Sequence, residues 1–240
     1  MIKQFKSFYR QQGFIPSWIG IFVNPFYIAR RGLAKAMMEL APSLSGFLLD
    51  VGCGSKPYQS LFVVNKYVGL DIDSYRTRKL GIADYFYDGG MFPFEDAVFD
   101  SILCNQVLEH VFNPDSFLGE INRVLKPGGK VLLTVPFVWD EHEQPYDYAR
   151  YSSFGLRTLM EKQKFRIIHH QKLEADASVI FQLSNAYLYK IVQDFPIPIK
   201  LIFTATVMAT LNVLGVITAK FLPDNPDLFL DHVILAEKVL

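Results

Sequence analysis

Ionisable and aromatic side chains are concentrated in residues 136–152, PFVWDEHEQPYDYARYS. The side chains of this segment that could act on a substrate are His142, Glu143, Asp147, Arg150, Tyr146, Tyr148 and Tyr151. Histidine is the side chain best suited to take a proton near neutral pH, and a nearby carboxylate can orient its ring. We therefore predict that His142 is a general base on a hydroxyl, oriented by Glu143 or Asp147. Arg150 would bind a phosphate or carboxylate of the same acceptor.

A purely structural interpretation of this segment stays open. In that alternative Arg150 pairs with Asp147, the tyrosines pack over the core, and the segment is a rigid lid. Two interpretations also stay open for the adjacent pair Glu109 and His110. These residues could cap and pack a helix, or they could contact the acceptor. No HExxH or CxxC pattern accompanies these residues, so we predict no metal site.

A glycine-rich turn follows the first apolar run, in LLDVGCGSKPY. Gly52 and Gly54 let the backbone bend sharply and approach a ligand. A dinucleotide site would need a third glycine at position 57, where this chain has Pro57, so the turn is poorly made for a diphosphate. Asp71 ends the next apolar run and could accept both hydroxyls of a ribose. The alternative is an ordinary turn beside a solvated aspartate.

The elements that must position these residues alternate between strand and helix. Strands are predicted at 47–51, 66–72, 83–88, 99–105, 130–136, 165–173 and 231–240, and helices at 26–41, 115–126, 152–163, 177–194 and 197–221. Short apolar strands alternating with helices indicate an α/β fold with a parallel sheet covered on both faces. No linker divides the chain, so we predict one domain over 1–240, with an N-terminal helical cap (1–45), a cofactor-binding core (46–175), an apolar helical insertion (176–228) and a final strand (229–240).

Together these motifs resemble class I S-adenosylmethionine-dependent methyltransferases over residues 30 to 151. LLDVGCG resembles the family's first motif, GLDID its acid motif, and FLGEINRVLKPGGKVLLTVP its helix, glycine turn and fifth strand. YDGGMFPFEDAVFDSILCNQVLEHV resembles the type 11-like branch that includes quinone-biosynthesis methyltransferases. The loop resembles the HE-x-P-x-DY-x-RY signature of methyltransferases among bacterial surface-polysaccharide enzymes.

The resemblance implies a Rossmann-like, doubly wound sheet of seven strands in the order 3-2-1-4-5-7-6, with strand seven antiparallel. It implies S-adenosyl-L-methionine as the cofactor. It places Asp50 and the glycine loop (Gly52, Cys53, Gly54) by the methionine part, Asp71 on the ribose and Asp88 near the adenine amino group. Asn105 and Gln106 would line the cofactor at the end of strand four, and Ile72 completes the implied cofactor residues. The chain departs from the family in one respect, because about 55 residues, rather than a short hairpin, separate strands six and seven.

The amino-acid composition limits the classes of partner that we expect for this protein. Of the 240 residues, 24 are basic and 24 acidic, so the net charge is zero, and half are hydrophobic. A chain this apolar is not disordered, and without a basic surplus we expect no nucleic-acid partner. Two cysteines cannot build a disulfide framework, which favours a cytoplasmic location. We predict methyl transfer to a small or lipid-linked acceptor, with a sugar or glycan oxygen first and a quinone-like ring second. The alternatives are a nicotinamide dehydrogenase and a catalytically dead binding module.

The insertion contains 19 consecutive uncharged residues, 201–219, which is long enough to cross a bilayer. A crossing would leave the last strand on the wrong side of the membrane to complete the sheet, so we predict none. Two interpretations remain. The insertion could cover the acceptor site or form a homodimer surface. Alternatively, segments 18–28 and 197–222 could make peripheral contact with the inner face of the membrane, near a lipid-linked acceptor.

Overall fold

A computed structural model describes the backbone of residues 2–239 and the side chains of residues 8–239. Its strands are β1 (Phe47–Val51), β2 (Lys66–Ile72), β3 (Tyr85–Tyr87), β4 (Phe99–Asn105), β5 (Leu125–Pro136), β6 (Phe165–Leu173) and β7 (Asp231–Lys238). The helices are α1 (Ile2–Phe14), α2 (Gly20–Val23), α3 (Tyr27–Leu40), α4 (Tyr75–Leu80), α5 (Pro114–Val124), α6 (Ser153–Lys162), α7 (Ser178–Val192), α8 (Ile197–Phe203) and α9 (Ala209–Phe221).

All seven strands form one sheet in the order 3-2-1-4-5-7-6, with β7 antiparallel, as predicted. The first five strands are parallel, and their registers pair Asp50 with Gly69 and with Leu103. The central strands are apolar because both faces of the sheet are covered: Leu49, Val51 and Ile102 are fully buried. Parallel pairing brings the carboxyl ends of β1, β2, β4 and β5 to one edge, where the motif residues follow each strand.

Side-chain caps begin α4, α5 and α6. Ser152, for example, caps α6 by accepting the Gly155 N–H. The predicted helix over 115–126 ends earlier, at Val124, and the following Pro-Gly-Gly is drawn into β5. Lys238 on β7 accounts for this end, since its Nζ donates to the carbonyls of Asn122 at 2.7 Å and Leu125 at 2.8 Å.

The chain divides into two compact units by its internal contacts. The second unit (37–137, 141–171 and 232–240) contains nearly all of the sheet, and the first (1–36, 138–140 and 172–231) contains the N-terminal helices and the hairpin of α7 with α8–α9. Most of the predicted N-terminal cap and all of the predicted insertion therefore belong to one unit.

Within the first unit, aromatic and aliphatic side chains form a small core. Tyr27, Ile28, Val179 and Leu230 are buried in it, and the Phe26 ring lies 5.7 Å from that of Trp139. The run from Ile197 to Phe221 is helical throughout, with a π-helical stretch at Thr204–Met208 between α8 and α9. Among the described residues, this 25-residue run is the one helix long and apolar enough to cross a membrane.

Replacing Glu174, also in this unit, with glutamine should stabilise the protein at alkaline pH. Burial raises the pKa of Glu174 to about 7, and the charge of Asp176 raises it further. Because the folded state favours the protonated acid, wild-type stability falls as the pH rises from about 4.5 through 7. The cost reaches at most about 3 kcal/mol. Glu174→Gln should therefore raise the thermal unfolding midpoint at pH 8 and leave it nearly unchanged at pH 4.5. Equal shifts at both pH values would contradict this, and the exposed Glu95→Gln is the control.

Candidate active site

The glycine turn after β1 leaves room beside the backbone. Gly52 and Gly54 both have positive φ angles, +70° and +48°. The N–H groups of Gly52 and Cys53 donate to the Leu70 carbonyl at 2.8 and 3.1 Å, which fixes the turn against β2. No heavy atom lies within 4 Å of the position that a Cβ would take at Gly54. The turn is therefore open on this side, as a ligand-binding turn requires.

Asp71, at the end of β2, faces this turn. Its Oδ2 accepts the Gly54 N–H at 2.9 Å, and its Oδ1 accepts the N–H of Ile72 at 2.8 Å. Burial raises the pKa of Asp71, and these two amide hydrogen bonds partly oppose that shift. A carboxylate oxygen accepts more than one hydrogen bond, so both oxygens can still receive ribose hydroxyls. The open turn and the adjacent carboxylate fit an adenosine group.

Two predicted cofactor residues turn their side chains inward. Asp50 is buried on β1 and accepts the Tyr67 hydroxyl at 2.6 Å, and burial raises its pKa to about 7. Cys53 is buried against Gly69, and burial, with the charge of Asp50, raises its pKa to about 12. Only the backbone of Cys53 faces the turn, so its thiol contributes packing rather than reactivity.

The remaining predicted cofactor residues lie at the ends of neighbouring strands. Ile72 is 39% exposed, and a Cβ placed at Gly89, next to Asp88, would lie 3.6 Å from its Cδ1. At the end of β4, Asn105 Oδ1 accepts from the Thr134 hydroxyl at 2.8 Å. The Gln106 N–H donates to the Thr134 carbonyl at 3.0 Å. Thr134 on β5 is fully buried and was missed by the sequence analysis, although it is a polar residue within the apolar run VLLTVP.

Alanine substitutions at Gly52 and Gly54 should have different effects. A Cβ at Gly52 would lie 2.3 Å from Cγ2 of Val107, whereas one at Gly54 would meet only open space. We expect Gly52→Ala to lower the free energy of unfolding by about 2–4 kcal/mol, from left-handed strain and overpacking together. Gly54→Ala should cost about 1–2 kcal/mol and mainly weaken ligand binding. Denaturant unfolding and calorimetry with S-adenosylhomocysteine measure the two effects. Equal stability losses would contradict the assignment.

In the loop after β5, His142, Asp147 and Arg150 form one cluster. His142 Nδ1 lies 3.2 Å from Asp147 Oδ2, and Arg150 binds the same carboxylate with both terminal nitrogens, at 2.6 and 2.7 Å. Burial alone would raise the pKa of Asp147, but hydrogen bonds from Arg150 and from the His142 backbone N–H lower it to about 2. Asp147 therefore stays ionised and only accepts hydrogen bonds, so at 3.2 Å it favours a proton on Nδ1 of His142. Arg150 Nη2, which can only donate and so opposes that tautomer, lies farther from Nδ1, at 3.5 Å. Nε2 then carries the lone pair that can take a proton.

The short 3₁₀ helix Leu108–His110 holds this loop in place. The N–H groups of Tyr148 and Ala149 donate to the Glu109 carbonyl at 2.8 and 3.2 Å, and His110 Nδ1 lies 2.9 Å from the Tyr146 carbonyl. The His110 and His142 rings meet edge to face at 4.8 Å. Burial lowers the pKa of His110, so its ring is neutral at neutral pH. His110 therefore belongs to the same cluster as the predicted base.

Glu143 points elsewhere. Its carboxylate pairs with Arg76 on α4, an exposed residue that the sequence analysis did not single out. Of the two acids considered for orienting His142, Asp147 is the one beside its ring. The bidentate pairing of Arg150 with Asp147 is the arrangement that the structural alternative expects.

The nearest approach to a metal site is the group of Glu109, His110 and His142. Their ligand-type atoms lie within 4.8 Å of one another, and Glu109 Oε1 is 3.8 Å from His110 Nε2. Tetrahedral coordination with bonds of 2.0–2.1 Å would bring such atoms to about 3.3 Å. The group as it stands is wider than a coordinated set, and we propose no metal there.

Comparisons with known proteins identify the central part of the chain. Residues 49–133 match the family model described as "Methyltransferase domain". An uncharacterized protein of Methanocaldococcus jannaschii is 36% identical over 106 residues, which is 42% of this chain and 49% of that protein. The sterol 24-C-methyltransferase of Eremothecium gossypii is 38% identical over 96 residues, covering 34% of this chain and 26% of that enzyme. The chain thus spans half or less of the length of these relatives.

A solved structure shows the same fold. It is the phosphoethanolamine N-methyltransferase 2 of Haemonchus contortus in complex with phosphomonomethylethanolamine and S-adenosylhomocysteine. It aligns with a TM-score of 0.57 at 18% identity, over 93% of this chain and 56% of that one. The family match covers β1 to β5 and includes the glycine turn, Asp71 and the end of β4. The strand order and the open turn with its carboxylate agree with this match, so residues 49–133 form a methyltransferase domain with the fold of class I S-adenosylmethionine-dependent methyltransferases.

Proposed function

We propose that this methyltransferase moves a methyl group to an oxygen of a small or lipid-linked acceptor. A sugar or glycan hydroxyl is our first choice and a quinone-like ring the second. The observation that carries the proposal is the His142–Asp147 pair in the loop after β5, at 3.2 Å. S-adenosylmethionine, when bound, supplies a methyl group already activated on a sulfonium, so the protein needs chiefly to align the acceptor and manage its proton.

Each residue of the cluster has a proposed role. His142 takes the hydroxyl proton on Nε2 while the oxygen attacks in line, and Asp147 stabilises the resulting imidazolium. Arg150 holds Asp147 in place through its bidentate pairing. Glu143 ties the loop to α4 through Arg76. Binding a phosphate or carboxylate of the acceptor would require Arg150 to exchange Asp147 for that group.

The proposed contacts with the cofactor are made by residues at the carboxyl ends of the strands. Asp71 accepts the ribose hydroxyls, and the backbone of Gly52, Cys53 and Gly54 approaches the methionine part. Asp88 lies on the adenine side with Ile72, and Asn105 and Gln106 line the crevice at the end of β4. The buried Asp50 supports the site indirectly, because it accepts the Tyr67 hydroxyl and so links β1 to β2.

A dehydrogenase is disfavoured by the segment after the glycine turn. There the chain forms a three-residue 3₁₀ helix, Gln59–Leu61, rather than the long helix whose N-terminus would hold a pyrophosphate. Titration calorimetry with S-adenosylhomocysteine and with NAD separates the two functions. We expect binding of the first alone, and binding of NAD alone would overturn the assignment.

Release of S-adenosylhomocysteine in the presence of sugar and quinol acceptors then tests for methyl transfer. A protein that binds the cofactor yet turns over none of a broad acceptor panel would support a dead binding module. For the location, we propose the cytoplasm, at the inner face of the membrane if the acceptor is lipid-linked. Both cysteines are unpaired and buried, which is consistent with a reducing compartment.

A further inference from the structure

The helical hairpin of α7 with the π-helical stretch and α9 buries several polar residues. Gln182, Asn185 and Asn212 are fully buried, and Thr204 nearly so. Asn185 Nδ2 donates to Asn212 Oδ1 at 2.9 Å, and Asn212 Nδ2 donates to the carbonyls of Ile21 and Asn24 at 2.9 and 3.1 Å. The contacts between these helices thus include amide hydrogen bonds, which are typical of helices packed within a membrane.

The opposite face of the hairpin is apolar and exposed. On α9 and the π-helical stretch, exposed residues recur at helical spacing as Val207, Leu214, Ile217 and Phe221, with exposures of 41–81%. The α7 helix adds Ile180, Tyr187 and Ile191 to this surface. Of the most apolar stretch in Ile197–Phe221, only 28% is buried. A helix on a water-exposed surface shows the reverse pattern, with apolar residues inside and polar residues outside.

Hydroxyl groups on this surface donate within their own helices. Thr206 donates to the Ile202 carbonyl at 2.7 Å, Thr210 to the Thr206 carbonyl at 2.9 Å, and Thr218 to the Leu214 carbonyl at 2.8 Å. Ser184 on α7 does the same towards the Ile180 carbonyl. Hydroxyls that are satisfied in this way enter hydrocarbon at little cost.

Between α7 and α9 the surface contains an open groove of about 800 Å³, lined chiefly by Leu183, Leu188, Val207 and Leu211. A hydrocarbon chain matches this lining. Lys200 and Lys220 flank the uncharged run in the sequence, and basic side chains at such positions suit a membrane interface.

We propose that the exposed apolar face of the hairpin, formed by side chains such as Ile180, Tyr187, Val207, Leu214 and Ile217, lies in the hydrocarbon boundary of a lipid bilayer. The polar interior, the apolar exterior and the groove favour lipid over water as the contacting phase. A transmembrane crossing is not part of the proposal, since β6 before the hairpin and β7 after it are neighbours in one sheet. The attachment is monotopic and does not depend on the acceptor or on methyl transfer.

Flotation of the full chain with phosphatidylcholine vesicles, without cofactor, tests the proposal. We expect the wild type to float, and to stay bound in 0.5 M salt because the contact is apolar. The double substitution Leu214→Glu/Ile217→Glu should lower the partition coefficient about tenfold or more. The matched control Val63→Glu/Phe154→Glu changes two apolar residues of the other unit that are 95% and 82% exposed, and should float like the wild type.

A wild type that stays unbound at low salt would overturn the proposal. So would a dimer that the hairpin variant dissociates while flotation is unchanged, because the face would then bind a second copy of the chain. Should the variant not fold, quenching by brominated lipids decides the matter in a protein whose one tryptophan lies on this face, Trp18→Phe/Trp139→Phe/Phe221→Trp, because Phe221 is 81% exposed there. Quenching of that tryptophan supports lipid contact, and its absence contradicts it.

Discussion

Replacing His142 with alanine is expected to lower turnover by about 10²-fold or more, the usual range for loss of a general base. The reason is geometric: the ring is oriented by Asp147 at 3.2 Å, and no other histidine contacts that carboxylate in the described structure. Turnover is measured as release of S-adenosylhomocysteine with the acceptor on which the wild type is active. The affinity for S-adenosylhomocysteine should stay within about twofold, because the cofactor residues are on other strand ends.

Two further variants sharpen this result. His169→Ala removes an exposed histidine on β6 and should leave turnover unchanged. Asp147→Asn keeps the shape of the side chain but removes the charge that favours a proton on Nδ1, so it should lower turnover and alter the pH profile of the rate. Wild-type turnover in a folded His142→Ala protein would exclude His142 as the base and favour the rigid lid.

The sheet could be predicted because each strand is a short apolar run next to a turn signal. β1, β2, β4 and β6 begin and end where the sequence predicts. The end of α5 could not be predicted in the same way. Its last carbonyls are satisfied by Lys238, which lies 113 residues further along the chain than Leu125, so its end depends on a tertiary contact.

The sequence predicted which residues belong to the candidate site, but not which of their side chains contact one another. Composition picked out the loop after β5, yet it could not decide whether Glu143 or Asp147 faces His142. That choice depends on the path of the loop and on the ion pair between Glu143 and Arg76. The two residues are 67 positions apart, so the sequence does not indicate that they pair. Likewise, Asp50 resembles a cofactor residue in sequence, but its carboxylate points inward to Tyr67.

The hairpin illustrates another limit. Hydropathy identified an uncharged run, but not which of its faces is buried. Asn212 and Thr204 lie on the buried face, and Leu214 and Ile217 lie on the exposed one. Thr204 and Asn212 are eight positions apart, about two helical turns, and Leu214 and Ile217 are three apart, so the spacing was present in the sequence. Deciding which of the two sets of residues is buried requires knowing where α7 packs.

Replacing Asp71 with alanine is expected to weaken binding of S-adenosylhomocysteine by about 10²-fold or more. Hydrogen bonds from two ribose hydroxyls to one carboxylate contribute about 1.5–3 kcal/mol each, and the variant loses both. The Gly54 N–H also loses its acceptor, at 2.9 Å in the wild type, so the turn itself becomes less well fixed. Calorimetric titration measures the affinity, and thermal unfolding without ligand reports how much of the loss comes from a loosened turn.

Asp73→Ala provides the matched control, because Asp73 is an exposed acid two residues away whose carboxylate pairs with Arg78 instead. Its affinity should stay within about twofold of the wild type. The raised pKa of Asp71, caused mainly by burial, adds a pH signature. Protonation removes an acceptor, so wild-type affinity should fall on acidification at a higher pH than an ordinary aspartate would give, and the fall should vanish in Asp71→Ala. Unchanged affinity in a folded Asp71→Ala protein would mean that the ribose is not held at the end of β2, and the cofactor site would have to be sought elsewhere along the sheet edge.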